Sequence, residues 1–168
     1  GVGADEPAVL NPMFEGYRYH FTGLHHGPTG HPTEDAELCD ALMKRLFNKV
    51  DAHLDELELN EEYMLEDADI MIIAYGSVSL GVTEAINRMR KEGIKVGMFR
   101  PLTIWPSPAK RIKELMTRFD KVLITELNMG QFADEVQRVS GRSDFDTLFK
   151  VNGRPLSPLE IIEKVKGM

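Results

Sequence analysis

The sequence predicts an α/β domain: an open, mostly parallel sheet of about four or five strands with helices on both faces. Three observations predict it. Beyond Glu66, short apolar runs alternate with segments of helical period. The first of these runs is continuous rather than alternating, as in a strand buried on both faces. Helix-length connections between strands impose parallel pairing with right-handed crossovers, which places helices on both sides of the sheet.

Residues 1–33 are rich in Gly, Pro, His and Tyr and show no period, so they are expected to be a linker and loop from a preceding domain. Residues 34–168 are expected to form one α/β domain with a long N-terminal helix. Leu38, Leu42, Leu46, Val50, Leu54 and Leu57 recur at three or four residues and predict an amphipathic helix of roughly 20 residues. Thr33, Glu34 and Asp35 supply its cap and the acids of its first turn. "DIMIIAYG" (69–76) is the first strand, and Val82, Ala85, Ile86 and Met89 mark the helix after it, closed by Gly93. "IKVGMFR" (94–100) is the second strand. In "WPSPAKRIKELMTRF", Ser107 is expected to cap a helix with Pro108 in its first turn. "KVLITELN" (121–128) is the third strand, and Phe132, Val136 and Val139 mark a helix stopped near Gly141. "FDTLFKV" (145–151) is the fourth. "SPLE" (157–160) opens the last helix with a capping box, Ser157 with Glu160.

The chain has 168 residues and a formal net charge of −7. Between Glu34 and Asp67, twelve acids stand against Lys44, Arg45 and Lys49, which reads as a solvated helix face. An acidic chain without a basic stripe excludes nucleic acid as the expected partner. No apolar run approaches the ~20 residues of a membrane span, so no membrane partner is expected. Cys39 is the only cysteine; no internal disulfide can form, and a reducing, cytoplasmic setting is expected. The N-terminus lacks both an initiating Met and the order of a signal peptide, and is expected to continue a longer chain.

Ligands of open parallel sheets sit beyond the carboxyl ends of the strands. Here those ends gather Tyr75, Ser77, Ser79, Arg100, Thr103, Trp105, Glu126, Asn128 and Gln131. Turn chemistry accounts for many of the same residue types. "GSVSLG" is not a dinucleotide fingerprint, because Val78 takes the place of the middle glycine, and it carries no P-loop lysine. Arg100 could bind a carboxylate or pair with Glu126. Trp105 is expected to be a core or interface anchor. Acids beside Cys39 argue against a nucleophilic thiol, and His53 is expected at a helix boundary. No G-x-S-x-G elbow is present.

Four of the five histidines, His20, His25, His26 and His31, fall within twelve residues. Their spacing, the Gly and Pro between them and the lack of thiolates or acids favour a shaped loop over a metal site.

Several segments together resemble one family: "YRYHFTGLHHGPTGHPTE", "AYGSVSLGVTEAI", "GIKVGMFRPLTIWPSP", "KVLITELNMGQFADEVQ" and "VNGRPLSPLEII". They are similar to the C-terminal part of the α subunit of 2-oxoacid:ferredoxin oxidoreductases, of the 2-oxoglutarate type. In the histidine loop Thr22, Gly23, Leu24, His26, Gly30, His31 and Pro32 match the family, while Gly27 and Pro28 stand where it carries acids. The resemblance implies a transketolase C-terminal-like domain within a complex that decarboxylates a 2-oxoacid, forms an acyl-CoA and passes electrons to ferredoxin. It implies a β subunit and further subunits as partners, with thiamine diphosphate, magnesium and iron–sulfur clusters in the whole complex. For this segment it implies no catalytic, cofactor-binding or metal residue of its own. The residues singled out for an interface or strand-end edge are His26, His31, Ser77, Arg100, Trp105, Glu126, Asn128 and Gln131. The rival reading is a stand-alone anion- or nucleotide-binding α/β module at that edge.

Overall fold

The computed structural model describes residues 3–18 and 23–168. The chain divides into two compact units, 1–56 and 57–168. The sequence reading grouped the long helix with the sheet domain; the contact pattern groups it with the N-terminal segment.

In the first unit, β1 (His25–His26) and β2 (Pro32–Thr33) form a short antiparallel hairpin, with His25 opposite Thr33 and His26 opposite Pro32. The turn closes through Gly27 N–H to His31 O at 2.8 Å. The helix α1 spans Ala36–Asp51. Asp35 is its cap and accepts from Leu38 N–H at 2.9 Å, while the Thr33 hydroxyl accepts from Asp35 N–H. The expected helix of roughly 20 residues is therefore shorter. It ends at Asp51, and a separate turn, α2, covers Leu54–Leu57. The charges account for the break: Asp51 is unfavourable at a helix C-terminus, while Asp55 and Glu56 suit the first turn of a new one.

The second unit holds a five-stranded sheet in the order β3 (Asn60–Tyr63), β5 (Val96–Pro101), β4 (Ile70–Ala74), β6 (Lys121–Glu126) and β7 (Asp146–Phe149). The four strands read from the sequence are all present and parallel. β3 is an additional edge strand, antiparallel to β5. Its residues Asn60, Glu61 and Glu62 are exposed. Charged side chains on an edge discourage pairing with another chain, and they also remove the apolar alternation that announces a strand.

Four helices cover the sheet: α3 (Val78–Lys91), α4 (Ala109–Arg118), α5 (Gln131–Ser140) and α6 (Pro158–Lys166). The strand pleat sorts the core into two layers. Ile70, Ile72, Ala74, Met98 and Leu123 pack against α3 and α6. Met71, Ile73, Phe99, Val122 and Ile124 pack against α4 and α5. Two helix ends match the sequence reading: Gly141 closes α5 in a left-handed conformation, and Ser157 with Glu160 forms the capping box of α6. Ser107 does not cap α4. Pro108 takes the cap position, and the Ser107 hydroxyl donates to Glu135 Oε1 at 2.6 Å.

Candidate functional site at the carboxyl edge of the sheet

β4 sends its connection toward β5 and β6 sends its own toward β7, so the two chains leave in opposite directions along the sheet. Their carboxyl ends therefore form a topological switch point, the place where open α/β sheets take ligands. Tyr75, Gly76 and Ser77 follow β4; Leu127, Asn128, Met129 and Gly130 follow β6.

Glu126 is fully buried here. Oε2 accepts from the Tyr75 hydroxyl at 2.9 Å and from Phe132 N–H at 3.0 Å, and Oε1 accepts from Ala133 N–H at 2.9 Å. Asn128 completes the cluster: its Nδ2 donates to the Tyr75 hydroxyl at 2.8 Å, and its Oδ1 accepts from Gly130 and Gln131 N–H. Four successive backbone donors at the start of α5 are thus taken up by two side chains of the same unit. An exposed helix N-terminus binds anions, but this one is already filled by a carboxylate.

Burial, reinforced by the hydrogen bond to Glu126, pushes the Tyr75 phenol up to about 12. It stays protonated around neutrality and acts as a fixed donor rather than an acid–base catalyst. Gly130 allows the turn that brings this about. Its φ of +100° is left-handed, and a Cβ there would meet the Phe149 ring at 2.6 Å.

Arg100 does not join Glu126. β4 lies between β5 and β6, so the two strand ends are not neighbours. Arg100 Nη1 instead donates to Glu61 Oε2 at 2.9 Å across the β3–β5 pair, while its Nε is buried without a partner. Trp105 is 70% exposed, which removes the core half of its expectation. It lines an open groove with Tyr75, Ile104, Gln131, Phe132 and Glu135, and its peptide bond to Pro106 is cis. Ser77 is exposed at the start of α3 and makes no side-chain cap. The edge thus brings together Tyr75, Glu126, Asn128 and Gln131, with Ser77 and Trp105 lining clefts at the same edge, and leaves Arg100 bound elsewhere.

His26 and His31 belong to the hairpin of the first unit, and His20 and Thr22 lie outside the described residues. Among the described residues no group of three or more His, Cys, Asp or Glu side chains is placed to hold a metal ion. His53 lies in the break between α1 and α2, with Nδ1 3.1 Å from Glu56, whose hydrogen bond raises the imidazole pKa. Two residues escaped the sequence reading of the site, Lys150 and Arg154, which follow β7 and line a cleft with Ser77 and Leu127. Arg154 lies in the "VNGRP" turn that carries part of the family resemblance, whereas Lys150 falls within the strand segment "FDTLFKV".

The family model for the pyruvate:ferredoxin oxidoreductase core domain II matches residues 68–161. The 2-oxoglutarate synthase subunit KorA of Methanothermobacter marburgensis is 38% identical over 160 residues, which is 94% of this chain and 43% of the relative. The ketoisovalerate oxidoreductase subunit VorB of the same organism is 30% identical over 95% of this chain and 50% of its own length. The chain therefore spans less than half the length of the 2-oxoglutarate synthase subunit it matches. A solved 2-oxoglutarate:ferredoxin oxidoreductase from Magnetococcus marinus, with 2-oxoglutarate, coenzyme A and succinyl-CoA bound, superposes with a TM-score of 0.79 at 27% identity. That superposition covers 99% of this chain and 29% of the other. A split-gene transketolase shares the fold alone, with a TM-score of 0.55 at 17% identity over 65% of this chain. On the strength of these matches, the chain belongs to the pyruvate:ferredoxin oxidoreductase core domain II family.

Proposed function

We propose that this chain is an assembly domain of the α subunit of a 2-oxoacid:ferredoxin oxidoreductase, acting on 2-oxoglutarate in the cytoplasm. The observation that carries the reading is the match along nearly the whole chain to a 2-oxoglutarate synthase subunit. The reaction converts 2-oxoglutarate and coenzyme A to succinyl-CoA and CO2, with two electrons passing to ferredoxin or a similar acceptor. A β subunit and the remaining subunits complete the machinery. No helix of the described residues is long and apolar enough to cross a membrane.

The residues present do not fit the cofactors that such a complex implies. Iron–sulfur clusters are held by several thiolates, and this chain supplies only Cys39. A diphosphate could rest on a free helix N-terminus, but Glu126 and Asn128 occupy that of α5. Thiamine diphosphate, magnesium and the clusters are accordingly assigned to other parts of the complex, and no catalytic step is assigned to these residues. What the domain contributes at α5 is a Glu126–Tyr75–Asn128 network whose polar groups are satisfied internally.

The test is reconstitution. The 168-residue chain alone should show no 2-oxoglutarate-dependent reduction of a viologen dye. The complete complex should reduce it with 2-oxoglutarate in preference to pyruvate or 2-oxoisovalerate. Turnover by the isolated chain, or preference for another 2-oxoacid, would overturn the assignment.

A further inference from the structure

The cleft beside the Glu126 network differs from it in charge and in saturation. Ser77 after β4, Leu127 after β6, and Lys150, Val151, Gly153, Arg154 and Pro155 after β7 border an open space of about 430 Å³. Among the described residues its charged lining consists of Lys150 and Arg154, with no acid. Lys150 is held in place: its Nζ lies 2.7 Å from Glu160 Oε1 and 3.1 Å from Pro155 O. Arg154 is exposed, and its guanidinium has no hydrogen-bond or ion-pair partner among the described residues. The turn that carries it is ordered, with Asn152 Oδ1 accepting from Arg154 N–H at 3.1 Å and Gly153 at φ +75°. The Ser77 hydroxyl is likewise unpartnered. Leu127, Val151 and Pro155 supply an apolar wall between these polar groups.

We propose that this cleft binds an oxyanion carried on a neutral or apolar body. The Arg154 guanidinium offers a planar fork of donors suited to two oxygens of one phosphate or carboxylate. The Ser77 hydroxyl offers a further donor from the opposite side of the switch point. Lys150 adds charge whose reach is reduced by Glu160. The body of the ligand lies against Leu127, Val151 and Pro155. The proposal does not depend on the reaction assigned above, because it rests only on the cleft's own charges and walls.

Amide chemical shifts of the isotope-labelled chain test it, with inorganic pyrophosphate and succinate titrated separately. The expected result is saturable movement of the Ser77, Gly153 and Arg154 amides, weakened by added salt. Arg154→Gln, at an exposed position, should weaken binding about tenfold, as expected for loss of a charge-assisted pair. Arg138→Gln, which alters the Glu135 ion pair instead, should leave it unchanged. A response to pyrophosphate alone assigns the cleft to phosphate esters; a response to both assigns it to oxyanions in general. No saturable shift with either probe, shifts centred elsewhere, or an Arg154→Gln titration equal to wild type would overturn the proposal.

Discussion

Glu126 holds three donors in a fully buried setting, two of them the backbone N–H groups of Phe132 and Ala133. Removing the acceptor strands all three, and each buried unsatisfied group costs about 1–3 kcal/mol. Glu126→Ala should therefore destabilise the chain by at least about 3 kcal/mol in a denaturant titration, with fraying of the first turn of α5. A variant within about 0.5 kcal/mol of wild type would show that water replaces the carboxylate. Tyr75 makes the same network sensitive to base. The unfolded phenol loses its proton near 10.0, while the folded one holds it to about 12. Its contribution is thus complete below pH 10 and is lost as pH rises through 12. Tyr75→Phe should lack that part of the alkaline decline, read from urea midpoints at several pH values. None of this was legible in "ITELN". A glutamate at a strand end reads as a solvent-facing or ligand-facing acid, and only the path of the following turn, through Gly130, folds the helix back onto it.

The elements were more legible than the network, and the reason is their periodicity. β4, β5 and β6 carry apolar residues buried on both faces, so continuous apolar runs revealed them. The "SPLE" sequence announced α6 because a capping box is a local device that needs no tertiary partner. β3 stayed hidden because its side chains face solvent and only its pairing with β5 makes it a strand. Helix packing adds a constraint that periodicity does not reveal. Gly81 in α3 faces the chain leading into α6, where a Cβ would lie 2.8 Å from Leu156 O. The neighbour is backbone and cannot swing aside. Gly81→Ala should consequently cost about 1–3 kcal/mol through displacement of α6, despite the better helix propensity of alanine. Chemical denaturation measures the cost, and an unchanged or raised midpoint would contradict the close approach.

At the scale of the whole molecule the two units differ in what holds each together. Every buried hydrophobic side chain among the described residues lies between Leu65 and Val165. The family match, residues 68–161, falls inside the same unit. By contrast α1 buries none of its 16 residues; Leu38, Met43, Leu46 and Phe47 are all exposed. An isolated helix of that length is marginal in water, because tertiary packing supplies most helical stability. The first unit should therefore open at little free-energy cost, while the second opens only with the core. Trypsin should cut the full chain first within the first unit, at Arg18, Lys44, Arg45 or Lys49, leaving a resistant fragment that contains residues 57–168. That fragment, expressed alone, should unfold in one cooperative transition within a few degrees of the full chain, since it keeps the whole buried core. Circular dichroism and mass spectrometry of the digest measure both outcomes. Simultaneous loss of both units to protease, or a fragment without a cooperative transition, would mean that α1 carries stability that its own burial does not account for.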